Sequence, residues 1–300
     1  MPEEMQMRFL LFCLSILMLP GFSVLHAAGT DGAKSYRWVG CGITKKAFMS
    51  SLAKAYAEET GMTIDIQGGG ATKGIREVSK LSADMGGACR YVLENHPLEE
   101  QVKMVPMAWD ALVVITHKDN PVDSISVDQL EAVYRGEIIN WNTLGGNDAP
   151  VRLFVRDGKI SGVGRTLREL VFRDSGFEFD AADTSFPSSG PLEQAVEKEL
   201  TAIAVTGISS ARKRDVKILK LNGLEPSYDN IKNGNYLLYR PLYLVLNVAS
   251  ENYQELLDFA DFANSPGGRE VVRANGVVPY LEAPALLLKQ MEQWSTASSN

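Results

Sequence analysis

From Ser35 to Trp109 short apolar runs alternate with amphipathic stretches, a pattern satisfied by repeated βαβ units around a largely parallel sheet. Tyr36 to Val39 reads as a strand, Lys45 to Glu59 as a helix, Thr63 to Gln67 as a strand and Thr72 to Leu81 as a helix. Ala83 to Gly87 supplies a third strand. Met104 to Thr116 then forms an apolar stretch long enough to pass from one half of a molecule to another, interrupted at Trp109 and Asp110. The second half continues the α/β pattern. Val127 to Tyr134 is a helix capped by Ser126, Val151 to Val155 a strand, and Arg165 to Phe172 a helix. A helix over Pro191 to Leu200, with the proline suited to its first turn, precedes a strand at Ala202 to Val205. Tyr236 to Val248 is a second long apolar run, followed by helical segments at Tyr253 to Ala263 and Arg269 to Arg273 and a polar tail from Ser295.

Composition narrows what such a chain does. A net charge of -7 argues against a nucleic-acid partner, which requires a basic surface. Phe9 to Leu19 is apolar, is broken by Pro20 and Gly21, and is followed by Ala27, Ala28 and Gly29, so residues 1 to 28 read as a cleaved export signal rather than a membrane span. The run is shorter than the roughly 20 residues that crossing a bilayer demands. Beyond it stand two cysteines, Cys41 and Cys89, and two histidines, His96 and His117, too few for a Cys/His metal site. No cofactor is indicated.

Three strand-to-helix turns are rich in glycine and small polar residues: GCGITKK from Gly40, GGGATKGI from Gly68 and RDGKISGVGR from Arg156. In an open parallel sheet ligands sit beyond the carboxyl ends of the strands, where helix N-termini offer free N–H groups and a positive dipole end. Thr44, Thr72 and Ser161 add hydroxyls, and Arg156 and Arg165 add donors able to hold an oxyanion in a bidentate grip. Neither a Walker A motif nor a strict GxGxxG fingerprint is present, so a nucleotide fits poorly. Trp109 and Trp141 read as core aromatics, Ser188 and Ser189 as a helix cap, and ARKRDVK from Ala211 as a solvated turn.

Longer segments carry a resemblance. SVDQLEAVYRGEIINWNTLGG from Ser126, LNGLEPSYDNIKNGNYLLYRPLYLVLN from Leu221 and FANSPGGREVVRANGVVPY from Phe262 resemble the phosphate-binding subunits of bacterial phosphate importers. The resemblance implies a bilobal type II periplasmic-binding-protein fold: two mixed or parallel sheets flanked by helices, with a double-crossover hinge. Lobe I would comprise residues 29–110 and 244–300, and lobe II residues 111–243. It also implies a monomer, periplasmic or otherwise extracytoplasmic, that binds phosphate or a similar oxyanion and presents it to a membrane permease powered by an ATPase.

Carried over residue by residue, the resemblance nominates Thr44, Thr72, Arg156, Ser161, Gly162 and Arg165 as ligand contacts, with a longer loop between Arg156 and Arg165 than the family has. ADMGGACR from Ala83 is similar to a strand-end segment in which one branch of the family carries an aspartate, thought to accept the proton of hydrogen phosphate, and another a serine followed by arginine. Cys89 and Arg90 stand there and are nominated as ligand contacts too; a cysteine cannot do the carboxylate's work, but Arg90 keeps a positive charge suited to an oxyanion. Cys41 and Cys89 follow strands that are neighbours in this fold, which leaves three readings: a disulfide, two small buried apolar residues, or free thiols lining the cleft. A signalling module that binds another oxyanion, and an exported phosphoester hydrolase, are the competing functions; the second lacks a metal cluster and a nucleophile-base pair.

Overall fold

The structure, a computed structural model, describes residues 34–297 and the side chains of residues 34–291. The export signal expected over residues 1–28 lies outside the described residues. Among the described residues no helix is long and apolar enough to cross a membrane.

Among the described residues, ten of twelve strands form one mixed sheet. In chain order they are β1 (Ser35–Gly40), β2 (Thr63–Gly68), β3 (Met85–Ala88), β4 (Lys103–His117), β5 (Ser124–Ile125), β6 (Arg152–Arg156), β7 (Thr184–Phe186), β8 (Ala202–Gly207), β9 (Val216–Ile218), β10 (Lys220–Leu221), β11 (Tyr239–Leu246) and β12 (Val278–Pro279). The main ladder runs β2-β1-β3-β11-β4-β8-β6-β7, with β9 and β12 also on β4, while β5 and β10 pair with each other. The βαβ reading holds for β1, β2 and β3, which lie parallel, and for β6, β7 and β8.

Strand β4 explains how two parallel clusters share one ladder. Its first part, Lys103 to Ala111, pairs antiparallel with β11, and its second, Leu112 to Thr116, pairs antiparallel with β8. Met107 to Thr116 are all buried, which is why this stretch reads as a continuous apolar run instead of an alternating one. The helices flank these strands. Ser126 caps Val127–Tyr134 in a reciprocal box, its hydroxyl accepting from Gln129 N–H at 3.0 Å and its own N–H donating to Gln129 Oε1 at 2.9 Å, an arrangement that stabilises a helix by about 1 kcal/mol.

Both tryptophans read as core are core. Trp109 stacks on Tyr280 with ring centroids 4.9 Å apart, and Trp141 donates its indole N–H to Thr201 O at 2.8 Å. Two local expectations change. The helix predicted over Arg165 to Phe172 starts earlier, as Gly162–Leu167, and continues through a wider π-type turn at Arg168–Phe172. Of the polar tail expected from Ser295, residues 295–297 end the helix Pro284–Ala297, and residues 298–300 lie outside the described residues. The basic run from Ala211 is the solvated turn expected, with Arg212, Lys213 and Asp215 exposed, and it is anchored as well. Arg212 donates to Gly276 O and Pro226 O, and Arg214 pairs with the buried Glu193 at 3.0 Å.

Candidate functional site

Five helices follow the carboxyl ends of parallel strands, the one at Gly162 after an intervening loop, and contacts bring their starts together. Gly42–Thr44 follows β1, Ala71–Ser79 follows β2, Gly162–Leu167 follows β6, Ser189–Val196 follows β7 and Ile208–Ala211 follows β8. Contacts tie the starts on β1 and β2 to those on β6 and β8. A β-carbon placed on Gly162 would lie 2.4 Å from Cys89 Sγ and 3.3 Å from Ala71 Cβ. Thr72 Oγ1 donates to Ile160 O at 3.2 Å. On Gly207 the same construction meets Asp110 Oδ2 at 2.5 Å, Ile43 Cγ2 at 2.7 Å and Arg240 Nη2 at 3.0 Å. Glycine at 162 and 207 is therefore required by close approach, and the N–H groups these turns expose share one region.

The nominated residues divide by what already holds them. Arg156 is pinned by three acceptors, Phe186 O at 3.1 Å, Ser189 Oγ at 3.0 Å and Pro187 O at 2.8 Å, which brings its guanidinium to the start of the Ser189 helix. Burial pushes its pKa down, and its charge is felt by Cys89. Ser161 Oγ, at the head of the Gly162 helix, is buried with no hydrogen-bond partner among the described residues. Thr44 is wholly buried and donates its hydroxyl to Cys41 O at 2.9 Å, so it shapes the first turn. Arg165 forms an ion pair with Glu169 at 2.7 Å, one helical turn on.

Arg90 is an anchor. Its Nη1 and Nη2 reach Glu99 Oε2 and Oε1 at 2.8 and 2.9 Å, Nε donates to Ile160 O at 3.0 Å, and Nη2 also donates to Thr72 Oγ1 at 3.1 Å. Glu99 further accepts from Leu93 N–H at 2.9 Å and pairs with Arg76 at 3.3 Å. Burial works against the Glu99 charge, yet Arg90 and the Leu93 N–H prevail and hold its pKa below the usual carboxylate range. Arg90 thus fixes Thr72 and Ile160 relative to each other from behind.

Cys41 and Cys89 are both buried free thiols just past neighbouring strand ends, where Cys41 N–H donates to Gly87 O at 3.0 Å. Cys41 Sγ also accepts from Thr44 N–H at 3.3 Å and lies 3.2 Å from Thr44 Oγ1, capping the first helix. Burial and the neighbouring Cys89 push the Cys41 thiol up. Cys89 moves the other way, drawn down by the neighbouring Cys41 thiol and the charges of Arg240 and Arg156.

Sequence reasoning did not nominate Asp110, Arg240, Glu99 or Glu193. Arg240 Nη2 reaches Asp110 Oδ2 at 3.2 Å and its Nη1 donates to Cys89 O at 3.3 Å; both residues are buried. Burial raises the Asp110 pKa against the pull of Arg240 and of Ser209 N–H at 3.2 Å. Glu193 accepts from Thr206 and Ser210 hydroxyls, each at 2.7 Å, and pairs with Lys46 at 3.3 Å. The available signal was a charged residue inside each long apolar strand, Asp110 in β4 and Arg240 in β11, because a buried charge requires a partner.

The geometry has counterparts. Residues 29–266 match the family model described as the PBP superfamily domain. The chain belongs to the PBP superfamily. Within it, the chain is similar to the phosphate-binding protein PstS of Pseudomonas aeruginosa, at 27% identity over 261 residues, covering 77% of this chain and 80% of that protein. It is also similar to PstS of Borreliella burgdorferi, at 26% over 191 residues, covering 61% and 68%. Among solved structures, a putative phosphate ABC transporter substrate-binding protein from Clostridium perfringens with bound phosphate superposes at TM-score 0.72, with 27% identity, over 82% of this chain and 99% of that one. An ABC-type phosphate transport receptor from Vibrio cholerae superposes at TM-score 0.62, with 25% identity, over 81% and 99%. The α/β architecture with its curled mixed sheet is that of type II periplasmic-binding-protein structures.

Proposed function

We propose that this PBP-superfamily chain is an extracytoplasmic solute-binding protein that captures phosphate and hands it to the permease of an ABC importer driven by its ATPase. The observation that carries the proposal is the convergence of five helix starts with Arg156 and the unpartnered Ser161 hydroxyl. Such a cradle replaces an anion's hydration shell with N–H, O–H and guanidinium donors. The printed names of its relatives, phosphate-binding proteins, give the anion its identity. Binding of this kind is reversible and makes no bond, so the proposal includes no catalysis.

The proposal divides the chain into lobe I, residues 29–110 and 244–300, and lobe II, residues 111–243, with the ligand between them. It takes the protein as a monomer, exported by residues 1–28. Calorimetric titration with phosphate, sulfate, arsenate and molybdate tests it. Phosphate should bind with a dissociation constant of about 1 μM or below. No heat from any of the four anions overturns the proposal.

A further inference from the structure

Ser161 Oγ and Arg168 Nη1 are both buried polar atoms with no hydrogen-bond partner among the described residues. They meet at one place. A β-carbon built on Gly164 would lie 2.6 Å from Ser161 Oγ, 3.0 Å from Arg168 Nη1 and 3.6 Å from Arg156 Cβ. Gly164 and Arg168 stand four residues apart in one continuous helical run, Gly162–Leu167 followed by Arg168–Phe172, and a long side chain on a helix leans back toward its N-terminus. The Arg168 guanidinium is thereby carried past the glycine toward the helix start. On its other side Nε donates to Phe177 O at 2.6 Å, and Cζ lies 3.7 Å from the centre of the Phe179 ring. Ser161 occupies the N-cap position without making the usual cap bond, so its hydroxyl is not spent on the helix itself.

The charge of Arg168 is unbalanced. Of the arginines around the Gly162 start, Arg90 is paired with Glu99, Arg165 with Glu169 and Arg240 with Asp110. Among the described residues neither Arg156 nor Arg168 has a carboxylate within ion-pair distance; Arg156 is held by two carbonyls and a hydroxyl, and Glu178, between Phe177 and Phe179, is taken by Lys159. Arg168 is 3% exposed. A guanidinium keeps its charge, and a buried charge left unpaired is costly, so the fold holds two cations here that require a counter-ion from outside.

From this juxtaposition we infer that Arg168 is a positioning residue for the oxyanion: it turns the Ser161 hydroxyl toward the ligand and, with Arg156, supplies the two positive charges that a doubly charged anion such as hydrogen phosphate balances. The inference rests on the proposed oxyanion site. Nη1 can only donate, whereas a hydroxyl both accepts and donates. Once Nη1 donates to Ser161 Oγ, the hydroxyl hydrogen is free to point at the anion, and the charge of Arg168 is felt through it. Gly164 permits the arrangement, because a side chain there would occupy the space in which the two atoms meet.

The experiment measures phosphate affinity by calorimetry and stability by urea unfolding for the full chain, for Arg168→Met, Arg168→Lys, Ser161→Ala and Gly164→Ala, and for Arg168→Met combined with Ser161→Ala. Arg168→Met should bind phosphate about 10- to 100-fold more weakly, the loss expected when a hydrogen bond from a charged group is removed. Arg168→Lys keeps the cation but gives up the fork that reaches Phe177 O, so it should recover most of the affinity without recovering the stability. Ser161→Ala should cost about tenfold in the wild type and less than about threefold in the Arg168→Met background, because the two side chains act as one unit. Gly164→Ala puts a methyl between Ser161 Oγ and Arg168 Nη1 with the guanidinium still present, and should reproduce the Arg168→Met loss of affinity; it decides the matter if Arg168→Met does not fold. Additive losses from Arg168→Met and Ser161→Ala, equal losses in Arg168→Met and Arg168→Lys, or normal affinity in Gly164→Ala each overturn the inference. No phosphate heat from the wild type removes the proposed function and this inference together, whereas wild-type binding with any of those three results removes the inference alone.

Discussion

Glu99→Gln separates an anchoring role for Arg90 from a ligand-binding one. In the wild type both side chains are essentially inaccessible, and two contacts of 2.8 and 2.9 Å join them in a bidentate pair. The substitution keeps the shape and one acceptor oxygen but leaves a buried guanidinium uncompensated, and breaking a buried pair in this way costs about 3 to 5 kcal/mol. For a domain of this size that corresponds to a melting temperature lower by about 6 to 12 °C, read by circular dichroism and confirmed by urea unfolding. The affinity for phosphate decides between the roles. If Arg90 anchors Thr72 and Ile160, its loosening blurs the positions of both and weakens binding. A ligand-binding Arg90 would instead be freed by the change and bind phosphate more tightly. A variant with unchanged melting temperature, or with raised affinity, refutes the anchoring argument.

Three further outcomes follow from the same geometry. Gly162→Ala should gain up to about 1 kcal/mol on helix propensity alone, but its methyl would sit 2.4 Å from Cys89 Sγ. A loss of phosphate affinity of about tenfold or more, without stabilisation, is expected, and a stabilised variant of normal affinity would contradict it. Arg156→Ala removes a buried cation and releases Phe186 O, Pro187 O and Ser189 Oγ, so calorimetry should show affinity lower by about 10- to 100-fold. Because the Glu99 carboxyl is held below its ordinary value near 4.5, its contribution to stability is complete above that value and is lost as pH falls through the lower folded-state value. Urea midpoints should therefore drop below about pH 4.5, and less steeply in Glu99→Gln.

The elements that sequence made legible are those whose pattern is local. Ser126 and Gln129 announce a helix start by spacing alone, and the apolar run around Trp109 announces a strand buried on both faces. The three glycine-rich turns mark the β1, β2 and β6 starts of the five that converge. The remainder depends on partners far apart in sequence. Nothing within reach of Arg90 distinguishes a guanidinium aimed at a ligand from one paired with Glu99, since both readings place an arginine after a strand end. The turn following β7 reads in sequence as a helix cap, and its proximity to Arg156 arises only when β6 and β7 pair. Cys41 and Cys89 are legible as neighbours through the order of their strands, but the cations near Cys89, Arg240 and Arg156, arrive from β11 and β6.

Crystals of the protein soaked with arsenate, an anomalously scattering analogue of phosphate, would locate the anion directly. The account predicts a single strong site within hydrogen-bonding distance of Thr72 Oγ1, Ser161 Oγ and the first N–H groups of the Gly162 helix, with the Arg156 guanidinium beside it. An anion bound elsewhere, with this cradle empty, would contradict it.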